Sequence, residues 1–190
     1  MNFLETPIPG AMVIEADRYE DDRGFFARVY CEQAFRQAGL PVIWPQSSSV
    51  WNRRKGTLRG LHFQDAPHQE AKLVRCAVGR IFDVIVDLRS GSPTYRKWWG
   101  VELSRENMRT LFVPMGLAHG YQTLADDTEI HYMISALHVP GAARGIRWDD
   151  AELGIPWPQE DPVLSERDRI WPDLGTWHAG KLRAKEEHHD

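Results

Sequence analysis

The sequence has little cysteine, no excess of positive charge and no long apolar run. Two cysteines among 190 residues are too few for a disulfide framework, and no Cys-x-x-Cys pair is present to bind metal. The net charge of −4 provides no broad positive field to attract nucleic acid or anionic lipid. No apolar stretch approaches the roughly 20 residues of a membrane span. We therefore expect neither a nucleic-acid-binding protein nor a membrane protein.

The beginning of the chain also lacks the pattern of a signal peptide. Residues 1–7 contain no basic stretch followed by an apolar run, so we expect a cytoplasmic protein. A length of 190 residues suits one domain over 1–190 with a substantial core. The polar tail over 181–190 is expected to fray.

Apolar and polar residues alternate with a period of two through much of the chain. Over 80–88 one face is entirely apolar, whereas the other mixes isoleucines with Asp83 and Asp87. Many short strands at even spacing predict a β-sandwich or barrel. A helix is predicted over 32–38, and turns and short helices over the proline-rich last forty residues. The other predicted strands cover 12–15, 25–30, 50–51, 72–78, 98–103, 109–113, 120–124 and 129–135.

Two segments of this β-rich region contain a histidine near glycine. Leu58–Gln64 contains His62, and Pro114–Gly120 contains His119. These segments resemble the two motifs of the cupin superfamily, whose double-stranded β-helix is a jelly roll around a central cavity. The resemblance implies an all-β, cupin-like jelly roll with a few short helices in its N- and C-terminal parts.

The metal-binding form of the cupin motif is not reproduced. That form requires His-x-His, but Gln64 stands at the second position, and an amide is a poor transition-metal ligand beside imidazole. With only His62 and His119 left, three convergent ligands are not available. We therefore expect no bound metal and no cofactor. A metal-dependent cupin oxygenase or isomerase remains an alternative.

Nearly the whole chain is similar to the dTDP-4-dehydrorhamnose 3,5-epimerase family. The matching motifs occur in the family's order and with near-family spacing. The resemblance implies a metal-free isomerase of the dTDP-L-rhamnose pathway that acts on a nucleotide-linked 4-keto-6-deoxy sugar. The motifs are Asp22–Phe26, Leu58–Gln64, Ala71–Arg75, Asp83–Asp87, Gly91–Thr94, Pro114–Gly120, Gly154–Pro158 and Leu164–Asp168.

The implied reaction explains the residue types of the predicted catalytic site. A ketone at C4 acidifies the hydrogens on C3 and C5, so inversion needs a base on one face and an acid on the other. The resemblance implies that His62 is the base and that Asp168 orients and stabilises its ring. It implies that Lys72 stabilises the negative charge on the enolate oxygen and that Tyr132 is the proton donor on the opposite face.

The resemblance also implies the substrate-binding residues. Arg59 and Arg23 are expected to bind the diphosphate, because arginine makes bidentate contacts with its oxygens. Phe26 is expected to pack against the nucleobase of the substrate. Arg23 and Phe26 would reach the site of a neighbouring subunit in a homodimer with exchanged N-terminal strands. His119 is expected near the sugar, with Arg167 beside Asp168.

Several positions depart from the family's pattern and leave the specificity open. Ser47 and Ser49 are expected to replace two amides that face the ligand, and hydroxyls make fewer hydrogen bonds. Met133 replaces a common lysine, and His138 replaces a second tyrosine. The altered wall leaves open which sugar and nucleotide bind. A C3-only epimerase, a keto-sugar isomerase and a non-catalytic sugar-binding cupin remain alternatives.

Overall fold

The structure, a computed structural model, describes residues 1–186, and only the backbone over 181–186. The helices are α1 (Glu32–Gln37), α2 (Glu166–Arg169) and α3 (Leu174–Glu186), and a single 3₁₀ turn covers Pro140–Ala142. The strands are β1 (Asn2–Glu5), β2 (Met12–Glu15), β3 (Arg18–Asp21), β4 (Gly24–Ala27), β5 (Gln46–Asn52), β6 (Leu58–Gln64), β7 (Lys72–Val78), β8 (Arg80–Asp87), β9 (Trp98–Ser104), β10 (Arg109–Val113), β11 (Leu117–Thr123), β12 (Thr128–Ile134) and β13 (Ala143–Gly145).

The strands form two large antiparallel sheets and one separate hairpin. The six-stranded sheet has the order β1-β2-β10-β7-β12-β5, and the five-stranded sheet has the order β13-β6-β11-β8-β9. Among the described strands, β3 and β4 pair only with each other. Neighbours that are distant in sequence, such as β10 beside β2, produce the long crossovers of a jelly roll. The predicted all-β, cupin-like fold with a few short helices is confirmed.

The two large sheets share an apolar core between their inner faces. Val74 and Leu111 come from the six-stranded sheet, and Ile81, Ile85 and Tyr121 come from the five-stranded sheet. The alternation over 80–88 explains this arrangement, because the mixed face of β8 points into the sandwich. That face therefore carries a buried aspartate, Asp83, into the interior.

The fully apolar face of β8 is covered by the C-terminal part of the chain. Val84 and Val86 pack in a second cluster with Ile155 and Leu174. This region contains the predicted turns and short helix, but α3 continues for 13 residues. The tail predicted to fray over 181–190 falls partly on α3, and 187–190 lie outside the described residues. The frayed tail and the single-domain boundary therefore stay predictions.

A third apolar cluster joins α1 to the outer face of the six-stranded sheet. Phe35 is fully buried there against Ile14, Leu73 and Phe112. Its ring meets that of Phe3 edge to face at 5.5 Å. Within residues 1–186, no helix combines the length and apolar character that crossing a membrane requires. The cytoplasmic location stays a prediction.

Candidate active site

A cavity of about 460 Å³ lies among residues from both large sheets. Its wall contains five histidine or tyrosine rings together with charged groups of both signs. The segment that contains α2 also contributes to the wall. The lining residues are Gln46, Ser48, Val50, Arg59, His62, Phe63, Gln64, Glu70, Lys72, His119, Tyr121, Tyr132, Ile134, His138, Ala143, Arg144, Ser165, Arg167 and Asp168.

An imidazole and a carboxylate from distant parts of the chain meet at this cavity. Nε2 of His62, on β6, lies 2.5 Å from Oδ1 of Asp168, on α2. The His62 side chain is 39 % exposed, whereas that of Asp168 is only 5 % exposed. One ring nitrogen is therefore held by a buried anion while the ring borders the cavity. This geometry keeps the imidazole in one orientation.

The Asp168 carboxylate is itself held by its surroundings. Ser165 caps α2 by accepting a hydrogen bond from the Asp168 amide, and the Trp171 indole donates to Oδ1 at 3.3 Å. Burial alone would raise the pKa of Asp168, but hydrogen bonds with His62, Ser165 and Trp171 lower it below its ordinary value. Asp168 is therefore charged at neutral pH.

Glycine beside His62 makes room for this arrangement. Gly145 on β13 pairs with His62, and a Cβ at Gly145 would lie 2.5 Å from Cδ2 of Trp171. β6 also pairs with β11, and there a Cβ at Gly60 would lie 2.6 Å from Cα of Gly120, close to the point where the register of the two strands shifts. Both contacts need a residue without a side chain.

Lys72 is a buried cation on the wall next to His62. Its side chain is 11 % exposed and its Nζ lies 3.1 Å from Oε1 of Glu70. The same ammonium donates a longer hydrogen bond to the His62 carbonyl at 3.4 Å. A charge fixed in a poorly solvated cavity can stabilise an oxyanion strongly.

A second imidazole–carboxylate pair joins the cavity-lining His119 to the buried Asp83. Nε2 of His119 lies 2.9 and 3.1 Å from the two carboxylate oxygens of Asp83, and both side chains are buried. Burial raises the pKa of Asp83, whereas His119 and Lys72 act to lower it. The Tyr132 ring meets that of His119 edge to face at 6.0 Å. Burial also raises the pKa of Tyr132 well above its ordinary value, so the phenol is protonated.

The remaining predicted residues divide into those that line the cavity and those that do not. Arg59, His119, His138 and Arg167 line it together with the four predicted catalytic residues. Arg23 and Phe26 lie on the separate β3–β4 hairpin, where the Arg23 side chain is 90 % exposed and pairs with Asp21. Within this chain, the hairpin contributes nothing to the cavity wall.

The prediction that Ser47 and Ser49 face the ligand is wrong, because neither residue lines the cavity. Successive side chains of a strand point to opposite faces, and on β5 the residues that line the cavity are Gln46, Ser48 and Val50. Ser49 points away and donates to Glu129 on the outer face of the sheet. The sequence comparison was therefore one residue out of register along this strand.

The groups that could have ligated a metal have other partners. The Gln64 amide nitrogen donates to the His68 carbonyl at 3.0 Å and to Glu70 at 2.8 Å, and its oxygen accepts from the Val139 amide at 2.7 Å. Among the side chains of residues 1–180, which the structure describes, no group of three or more histidine, cysteine or acidic residues could hold a metal ion. Gln64 therefore organises the loops around the cavity.

Sequence reasoning missed several groups of the site. Glu70, Asp83 and Trp171 each contact a predicted residue, and none was selected. Asp83 had a signal, because a charged residue on the inward face of a strand needs a buried partner. Glu70 and Trp171 lie outside the strands, so their contacts depend on loop conformation.

The fold and the site together define a class of protein. It is a cupin-like jelly roll with an acid–base site, whose cavity contains an imidazole–carboxylate pair, a buried lysine and an arginine. The family described as dTDP-4-dehydrorhamnose 3,5-epimerase matches residues 5–176. The chain belongs to this family. The predicted family is thereby confirmed.

Individual relatives agree with this assignment. The dTDP-4-dehydrorhamnose 3,5-epimerase of Methanothermobacter thermautotrophicus is 45 % identical over 175 residues, which cover 90 % of this chain and 94 % of the relative. A Bacillus anthracis structure of that enzyme with TDP and PPi bound has a TM-score of 0.89 at 40 % identity, covering 91 % of this chain and 99 % of the other. The predicted isomerase class is confirmed.

A relative with a different name is also similar in structure. A 3'-monoepimerase from Streptomyces bikiniensis in complex with dTDP-quinovose has a TM-score of 0.89 at 31 % identity. The superposition covers 97 % of this chain and 96 % of that chain. Similarity of fold therefore does not by itself separate double from single inversion.

Proposed function

We propose that the chain is a dTDP-4-dehydro-6-deoxy-D-glucose 3,5-epimerase that works by proton transfer through an enolate. The observation that carries the proposal is the contact between His62 and Asp168 at the edge of a cavity that also contains Lys72. The relatives support the substrate class, because two of the solved structures contain TDP or dTDP-quinovose.

His62 is the base in this proposal. The carbonyl at C4 makes the neighbouring C–H bonds acidic, and the imidazole removes a proton from one face of the sugar. Asp168 is negatively charged and buried, so it stabilises the imidazolium that forms. The ring is exposed enough to release that proton to solvent after each turnover.

Lys72 and Tyr132 provide the other two groups that the reaction needs. Lys72 stabilises the negative charge that develops on the C4 oxygen of the enolate. Tyr132 delivers a proton to the carbon from the face opposite His62, and its raised pKa keeps that proton in place until then. Each inversion thus consumes one proton from Tyr132 and places one on His62.

The nucleotide diphosphate is bound in this proposal by arginine. Arg59 lines the cavity and is exposed, and its Nε donates a hydrogen bond to the side-chain oxygen Oδ1 of Asn52 at 2.9 Å. Arg167 borders the same cavity and lies over the Trp171 ring at 4.8 Å. His119 and His138 contact the sugar end.

We further propose a homodimer in which the N-terminal part of one subunit completes the site of the other. Over residues 1–186 the β3–β4 hairpin pairs with no other strand, and it exposes the Phe26 side chain. An isolated two-stranded hairpin is marginal in water, so a partner surface would stabilise it. Arg23 would then reach the diphosphate, and Phe26 the nucleobase, of the ligand in the neighbouring subunit's site.

Incubation with nucleotide 4-keto-6-deoxy sugars in heavy water tests the proposal. With dTDP-4-dehydro-6-deoxy-D-glucose we expect solvent deuterium at both C3 and C5, read by NMR and mass spectrometry. No exchange at either carbon with any substrate of this class would overturn it. A C3-only epimerase is the second candidate, favoured by His138 at the cavity wall and by similarity to the monoepimerase. It predicts label at C3 alone.

A further inference from the structure

A carboxylate and an amide that the proposed reaction does not use lie next to Lys72. Oε1 of Glu70 lies 3.1 Å from Nζ of Lys72, and its other oxygen, Oε2, accepts a hydrogen bond from the Gln64 amide nitrogen at 2.8 Å. The Glu70 side chain is 11 % exposed, and Gln64 is 4 % exposed. All three residues line the cavity. A continuous line of polar contacts therefore runs from the Lys72 ammonium to Gln64.

The contact with Glu70 determines how many donors of Lys72 remain for a ligand. An ammonium has three N–H donors. Within the described part of the chain, one lies against Glu70 and one is directed to the His62 carbonyl at 3.4 Å, which leaves the third for an acceptor in the cavity. In the proposed function that acceptor is the C4 oxygen. A lysine side chain has many rotamers, so two fixed acceptors restrict where its charge lies.

The Gln64 amide is held in one orientation by the backbone around it. Its oxygen accepts a hydrogen bond from the Val139 amide at 2.7 Å. Its nitrogen donates to the carbonyls of His68 at 3.0 Å and Leu137 at 3.3 Å. Because only the nitrogen of an amide can donate, these contacts direct the NH2 group toward the Glu70 carboxylate. The orientation of Glu70 thus depends on Gln64.

The loop that Gln64 holds carries His138, another residue of the cavity wall. Leu137 and Val139, the two neighbours of His138, both bond to the Gln64 amide. The backbone amide of His138 itself donates to Oε1 of Gln46 at 2.8 Å. One buried amide therefore holds both the carboxylate beside Lys72 and the backbone on each side of His138.

We propose that Glu70 and Gln64 are positioning residues: Glu70 holds the Lys72 ammonium toward the C4 oxygen, and Gln64 ties Glu70 to the loop that carries His138. This inference rests on the proposed function, since it takes Lys72 as the group that stabilises the enolate. Neither residue transfers a proton, and both act through Lys72 and His138. Gln64 follows His62 by two residues on the same face of β6, so the position of a second metal-ligating histidine here serves to orient a cation.

The first test is Glu70→Gln, made in the wild type and in a Lys72→Met background. The substitution keeps the size of the side chain, but its NH2 group must face either the Lys72 ammonium or the Gln64 amide nitrogen, and both are donors. We expect kcat for deuterium incorporation from heavy water to fall by about 10- to 100-fold, with a smaller change in KM, since a hydrogen bond to a charged group is lost. In the Lys72→Met background the further loss should be less than about twofold.

Gln64→Leu tests the second link. We expect kcat to fall and KM to rise, because both Lys72 and the loop of His138 lose their support. Gln122→Leu is the matched control, because Gln122 is also buried and its amide also holds a loop, but it does not line the cavity. Its nitrogen donates to the Gln159 carbonyl at 3.0 Å, and its oxygen accepts from the Gln159 amide at 2.8 Å. The control should be less stable but should keep kcat and KM near wild type.

An unchanged or raised kcat in Glu70→Gln, or an equal loss in both backgrounds, would overturn the role of Glu70. Equal effects of Gln64→Leu and Gln122→Leu on kcat would overturn the role of Gln64. Either result leaves the proposed function standing if the wild type incorporates deuterium, whereas absence of exchange in the wild type would overturn that function instead. Thermal unfolding of each variant separates loss of fold from loss of positioning, and Glu70→Gln decides the matter if Gln64→Leu does not fold.

Discussion

His62 and Asp168 are 106 positions apart in the chain, yet their side chains meet at 2.5 Å. Asp168→Asn keeps the shape of the side chain but removes its charge, and it can hold the imidazole in the wrong tautomer. We expect kcat to fall by about 10³-fold or more with a smaller change in KM. Steady-state kinetics measures this. Ser165→Ala is the matched control, because it removes the cap of α2 and one hydrogen bond near Asp168 but keeps the carboxylate itself. A loss as large in this variant would contradict the electrostatic role of Asp168.

The contact between Gly145 and Trp171 gives a second prediction. Gly145→Ala would drive a methyl group into the indole ring, and the Trp171 hydrogen bond to Asp168 would be lost as the ring moves. We expect kcat to fall several-fold and tryptophan fluorescence to change. Gly141→Ala, a site with open space around its Cβ position, should leave both near wild type. Unaltered kinetics in Gly145→Ala would show that Trp171 does not support the Asp168 carboxylate.

Nucleotide binding should depend on the guanidinium of Arg59. Arg59→Ala should weaken dTDP binding by about 10- to 100-fold, because charge-assisted hydrogen bonds to the diphosphate are lost. Arg59→Lys should recover only part of the affinity, since an ammonium cannot make the bidentate contact. Isothermal titration calorimetry with dTDP measures both. Equal affinities for the three proteins would place the diphosphate elsewhere.

The loop after β8 provides a prediction on stability. Burial would raise the pKa of Asp87, but hydrogen bonds from Arg89, Ser92 and Thr94 outweigh it and lower the pKa to about 2. A lowered carboxyl pKa stabilises the folded state above the unfolded value near 4, and this stability is lost as pH falls toward 2. The shift corresponds to about 2 kcal/mol.

Asp87→Asn should therefore lower the free energy of unfolding at pH 7 by about 2 kcal/mol. The gap from wild type should narrow as pH falls below about 4, because Asp87 of the unfolded wild type then takes up a proton while the folded protein, with a pKa of about 2, does not. Denaturant unfolding over a range of pH measures it. A gap that stays constant with pH would mean that the loss comes from packing and not from the charge.

Strands with regular alternation could be predicted closely from the sequence. The predicted bounds of β7, β10 and β2 agree with the structure, because most of the side chains on their inward faces are apolar. The polar residues at the start of β5 hid most of that strand, which is held by backbone pairing with β12. The same weakness allowed the shift of one residue that selected Ser47 and Ser49.

The sequence identified most residues of the candidate site but few of the contacts between them. Family motifs identified the pair of His62 and Asp168, but sequence alone could not give the partners of Lys72 or His119. Those partners, Glu70 and Asp83, depend on loop conformation and on which strands lie side by side. The hydrogen bond from Tyr121 to Asn52, the partner of Arg59, has no motif, because it joins β5 to β11 across two sheets.

The loss of deuterium from a substrate labelled at C3 tests the role of His62 most directly. At saturating substrate in ordinary water, the wild type should release the label rapidly, and His62→Asn should slow release by about 10²- to 10⁴-fold, the range of general-base catalysis. Binding of dTDP should be nearly unchanged in the variant. Release at the wild-type rate by His62→Asn would show that another group removes the proton and would contradict the account.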